Sequence, residues 1–68
     1  MTKNDIVHAL ESVTDGQAFI TAAQLTRAMG RTDPKRIKAA YLKGLAAVDG
    51  KYYLIREVAA VLKERCTA

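Results

Sequence analysis

Apolar side chains recur along this sequence first at helical and later at alternating spacing, and the changes of spacing divide it into elements. Ile6, Leu10 and Val13 lie three and four apart, the repeat that lines one face of an α-helix. With Thr2 and Asp5 placed as a loose capping box, this predicts a helix from about Lys3 to Val13, stopped by Asp15-Gly16. Residues 17–20 are short and apolar enough for one extended segment. They lead into Thr21-Ala22-Ala23-Gln24, a capping box with Thr21 as N-cap and Gln24 at the third helical position, while Ile20 and Leu25 hold the two staple positions. Gly30, which tolerates positive φ, ends this second helix. Asp33-Pro34 then supplies an N-cap and a proline at the first helical position, and a third helix is expected over about 33–43.

At 100° per residue, Ile37, Ala40, Tyr41 and Gly44 fall on one side of the third helix. Lys35, Ala39 and Leu42 fall opposite, with Lys38 on one edge and Arg36 and Lys43 on the other. The outward face is therefore basic around a small alanine, and Leu42 is out of place on it. After Gly44 the period changes. Residues 45–48, then Asp49-Gly50, then 51–55 read as two short strands joined by a two-residue type I′ turn. Ile55, Val58, Ala59 and Leu62 return to helical spacing, so a closing helix is expected over about 56–65, without a good N-cap. The fold class expected is mainly α with a small β-hairpin, in the order helix, short strand, helix, helix, hairpin, helix.

With 68 residues and no repeat or linker, residues 1–68 read as a single domain. At this size only about 60% of the unfolded surface is buried, so the core must be small. Twelve residues are Ala, there is no Trp and Phe19 is the only Phe, which makes a deep apolar cofactor pocket hard to build. No nucleophile is paired with His8 and no Gly-rich phosphate loop occurs; neither an enzyme, a cofactor nor a small-molecule ligand is expected. Asp5, His8 and Glu11 read as a solvated helix face rather than a metal site. Cys66 is the only cysteine, so no internal disulfide or Cys-based zinc site forms, in keeping with a cytoplasmic location. No run approaches a membrane span.

The net charge of +4 is unevenly placed. Residues 27–51 hold seven basic groups (Arg27, Arg31, Lys35, Arg36, Lys38, Lys43, Lys51) and two acidic ones, Asp33 and Asp49, while the rest of the chain sums to −1. Such an address is the electrostatic footprint of a polyanion binder, with an ordinary solvated surface as the competing reading.

Met29-Gly30, the helix centred on Ile37, the Gly44-Leu45 step and the Val48-Asp49-Gly50-Lys51-Tyr52-Tyr53-Leu54-Ile55 hairpin, followed by an amphipathic helix, carry a resemblance. Over residues 19–65 the chain resembles the winged helix-turn-helix superfamily that holds phage and transposon excisionases and the DNA-binding heads of MerR-type regulators. The resemblance implies that the second helix of the motif enters the major groove of double-stranded DNA and that the wing, about 48–54, touches flanking backbone. The small, effectorless, basic unit is closer to an excisionase or a short phage-type regulator.

The DNA-binding residues expected on these grounds are Arg31, Thr32, Lys35, Arg36, Lys38, Ala39, Lys43, Lys51, Tyr52 and Tyr53. Of Tyr52 and Tyr53, one should be core and the other exposed, since strand side chains alternate. Further copies of the chain on DNA, or a recombinase, are the protein partners such a role would bring; a membrane is not. The alternative is a protein-interaction module of the same fold that presents Leu42, Tyr41 or the hairpin to a partner. The DNA reading requires the basic strip opposite Ile37 to face water beside the Asp49-Gly50 turn as one continuous wall.

Overall fold

Two reciprocal capping boxes set the starts of the first two helices. In the structure, a computed structural model that describes residues 2–66, helix α1 spans Lys3–Val13, strand β1 Phe19–Thr21 and helix α2 Ala22–Ala28. The Asp5 N–H donates to the Thr2 hydroxyl at 3.1 Å while the Asp5 carboxylate accepts from the Thr2 N–H at 2.9 Å. Thr21 and Gln24 repeat the arrangement at 3.2 and 3.0 Å. Each box satisfies orphan donors of a first turn.

Helix α2 closes in a Schellman motif: Gly30 donates to the Arg27 carbonyl at 3.0 Å and Arg31 to the Thr26 carbonyl at 2.9 Å. That geometry needs a left-handed residue, and Gly30 has φ 69°. After the turn, helix α3 begins at Pro34–Ile37, with the Asp33 side chain accepting from the Lys35 N–H. It continues over Lys38–Leu42 as a π-helical segment. The expected helix is thus present over nearly its full length but changes its winding halfway.

The sheet is small and differs from the hairpin expected. Strand β2, Tyr52–Leu54, pairs antiparallel with β1 in the register Phe19↔Leu54, Ile20↔Tyr53, Thr21↔Tyr52. Residues 45–48 form no strand; Val48 alone makes a bridge to Tyr52. The chain reverses at Asp49-Gly50 as expected, with positive φ at both and the Lys51 N–H donating to the Val48 carbonyl at 3.1 Å, but Val48 pairs with Tyr52, so three residues rather than two separate the bridged pair. Ala46 and Ala47 have little to pack on a pleated surface, whereas the opposed Ile20 and Tyr53 are both buried; the pairing that buries larger cross-strand neighbours prevails.

Helix α4 covers Ile55–Glu64 without a side-chain cap. Its first N–H instead donates to the Ala18 carbonyl at 2.9 Å, so the preceding sheet does the work of the missing N-cap residue. The core gathers Ile6 and Leu10 from α1, Ile20, Leu25, Ile37, Leu42 and Tyr53, with Ile55, Val58 and Ala59 from α4. The fold is mainly helical with one two-stranded antiparallel sheet. Among the described residues no helix is long and apolar enough to cross a membrane.

Candidate nucleic-acid interface

The winding of the third helix decides which of its side chains share a face. In a π-helix the bonding repeat is i to i+5, so residues five apart stand over one another. Two such pairs span the segment: Ile37 and Leu42 enter the core, and Lys38 and Lys43 border one groove. Arg36, from the preceding α-helical turn, borders a hollow with Tyr41 on the other flank. Leu42, out of place on a 100° projection, is 2% exposed. It is a core residue and offers no surface to a partner.

The lysine groove is lined by Lys35, Lys38, Ala39 and Lys43, with Leu42 and Tyr53 reaching it from the core. Lys38 also borders an adjoining depression with Gly50, Lys51 and Ala23. The helix and the Asp49-Gly50 turn therefore lie side by side, and four lysines follow one path across them. Lys43, which follows the π-helical segment with extended backbone, joins this path rather than the edge occupied by Arg36. Arg31 and Arg36 line the opposite hollow with Met29, Ala40 and Tyr41. The single continuous wall expected is therefore corrected to two flanks: Arg31 and Arg36 line a hollow of their own, and the part of the expectation that stands is the lysine path, which faces water beside the Asp49-Gly50 turn.

All of Arg31, Thr32, Lys35, Arg36, Lys38, Ala39, Lys43, Lys51 and Tyr52 are exposed. Within the described residues none of the six cations in that set is held in an ion pair. Lys51 places its ammonium 5.2 Å from the Tyr52 ring centroid, a cation–π contact that leaves its charge open to solvent. Tyr52 is 37% exposed and Tyr53 4%, which settles the alternation: Tyr52 is the outward tyrosine. Tyr53 is corrected from contact residue to core residue, since its ring packs opposite Ile20.

Arg65, at the C-terminal end of α4, is exposed. Its guanidinium donates to the Ala40 carbonyl at 2.8 Å and lies 5.1 Å from the Tyr41 ring centroid. Ala40 stands in the last turn of the third helix, where carbonyls lack partners and a cation suits the dipole. Nothing in the local sequence around Arg65 signals this, because the two groups are 25 residues apart. On α1, Asp5 and His8 are exposed, and no group of three His, Cys, Asp or Glu among the described residues is placed to hold a metal ion.

On the outer face of the sheet, Phe19, Val48 and Tyr52 expose apolar surface around one depression. Comparisons with family models, curated proteins and solved structures return no match for this chain.

Proposed function

We propose that this chain binds double-stranded DNA as a winged helix-turn-helix protein, in the manner of an excisionase-like architectural factor or a small transcriptional regulator. Helices α2 and α3 are the helix-turn-helix pair, and the Asp49-Gly50 turn with Tyr52 is a reduced wing. The observation that carries this reading is the run of four exposed lysines, Lys35, Lys38, Lys43 and Lys51, along two adjoining grooves with no carboxylate paired to any of them among the described residues. A cationic path of this kind meets a phosphate backbone by releasing its counterions. Ala39, between Lys35 and Lys43, allows close approach to the groove floor.

Neutralisation of about four to six phosphates gives log K against log salt a slope of roughly −4 to −5 on duplex DNA. Fluorescence anisotropy on a labelled random duplex measures it. The double substitution Lys38→Ala, Lys51→Ala should weaken binding and flatten the slope, while Lys3→Ala on α1 leaves both near the parent values. Absent or salt-independent association with any duplex removes the reading.

A second reading, a protein-interaction module, rests on the exposed Phe19, Val48 and Tyr52 surface. Its signature is a partner whose capture survives high salt and is lost in Phe19→Asp.

A further inference from the structure

The exposed cations flanking the third helix are sorted by type. Lysines occupy one flank, at Lys35, Lys38 and Lys43. Arginines occupy the other, where Arg31 and Arg36 border the hollow and Arg65 is fixed against two of its lining residues, Ala40 and Tyr41. The major groove of B-DNA is about 12 Å wide, and an α-helix with its side chains is about 10–12 Å across. A helix seated there fills the groove, so its two flanks face the two different strands that border it.

We propose that Arg31, Arg36 and Arg65 form a clamp for backbone phosphates of one DNA strand, while the lysine flank meets the other strand; the proposal rests on the DNA-binding reading above. The chemistry of the two flanks differs. An ammonium is a hydrated point charge, whereas a guanidinium presents a planar fork that matches two phosphate oxygens at once. Arg65 spends one of its five N–H donors on Ala40 and keeps the others. Held by that bond and by the Tyr41 ring, it loses less rotamer freedom when a phosphate arrives than a free surface arginine does. The α4 terminus, remote in sequence from the helix-turn-helix, thereby joins the footprint.

The test follows the arginine Nε–Hε resonances of the unmodified chain by NMR as a random duplex is added. Arg31, Arg36 and Arg65 should shift together with the backbone amides of Lys35, Lys38 and Lys51. Shifts confined to the lysine flank, with the three arginine signals unmoved, overturn the clamp and leave the DNA reading standing. No shift at either flank overturns both. Arg65→Ala should lower the magnitude of the salt slope by about 0.9, the value of one phosphate contact. An unchanged slope in a variant with a native amide spectrum reduces Arg65 to a helix clamp and overturns its part in binding.

Discussion

Ile37 and Leu42, five residues apart on one helix, both enter the same core, at 3% and 2% exposure. Leu42→Ala therefore removes buried methyl groups and leaves a cavity, at a cost of about 2–5 kcal/mol. A 68-residue chain has roughly 3–10 kcal/mol of total stability, so this one change should bring the midpoint of urea unfolding down severely. A loss smaller than about 0.5 kcal/mol, the range of ordinary surface substitutions, would place the leucine outside and argue for regular α winding.

The two ends of α2 provide a local test. Thr21→Ala deletes the acceptor of the Gln24 N–H and should cost about 1 kcal/mol, with Thr21→Ser largely restoring it. A Cβ at Gly30 meets nothing within 4 Å, yet φ is 69° there. Gly30→Ala should accordingly lose about 1–2 kcal/mol through backbone strain alone. Thermal unfolding would read each loss as several degrees, at about 4–8 °C per kcal/mol for a domain of this size.

Acid should weaken the start of α1 in a defined direction. The Thr2 N–H, donating to the Asp5 carboxylate, holds the Asp5 pKa below its ordinary value, helped by the further interaction with the Thr2 side chain. A folded-state pKa that is depressed contributes stability fully present above the unfolded value and lost as pH falls through the folded one. Asp5→Asn should therefore reduce the difference in stability between neutral pH and pH below the aspartate range. Equal differences in parent and variant would show that the bond does not persist in solution.

Neighbouring tyrosines should behave oppositely. Tyr53→Ala empties a core position and should cost about 3–5 kcal/mol, as large aromatic truncations do. Tyr52→Ala forfeits mainly the contact with Lys51, worth about 0.5–1 kcal/mol at an exposed site, and should lower duplex affinity with little change in unfolding. Paired unfolding and anisotropy measurements separate the two; similar destabilisation by both would contradict the alternation across β2.

Features written in adjacent residues were legible in the sequence. The boxes at Thr2 and Thr21, the Asp33-Pro34 start and the positive-φ turn at Asp49-Gly50 all appear where local chemistry puts them. Partner choice was not legible. The Asp-Gly turn specifies a reversal, but Tyr52–Leu54 takes β1 as its main partner because Ile20 offers the larger buried neighbour, and that is decided across the fold. The winding of the third helix was hidden for a related reason: a fixed 100° step presumes an α-helix. One sign of it was present, since a leucine on an otherwise basic face is what a change of phase produces. Of the candidate site, the exposed cations were legible, whereas their sorting into lysine and arginine flanks and the part played by Arg65 depend on that same phase and on a contact across 25 residues.

The three tyrosines occupy three distinct settings: Tyr53 inside, Tyr52 beneath the Lys51 ammonium, and Tyr41 against the Arg65 guanidinium. With no tryptophan to mask them, their ring signals form a built-in set of spectroscopic reporters. Melting, turn docking and occupancy of the arginine hollow can each be followed in the unlabelled protein at a separate aromatic resonance.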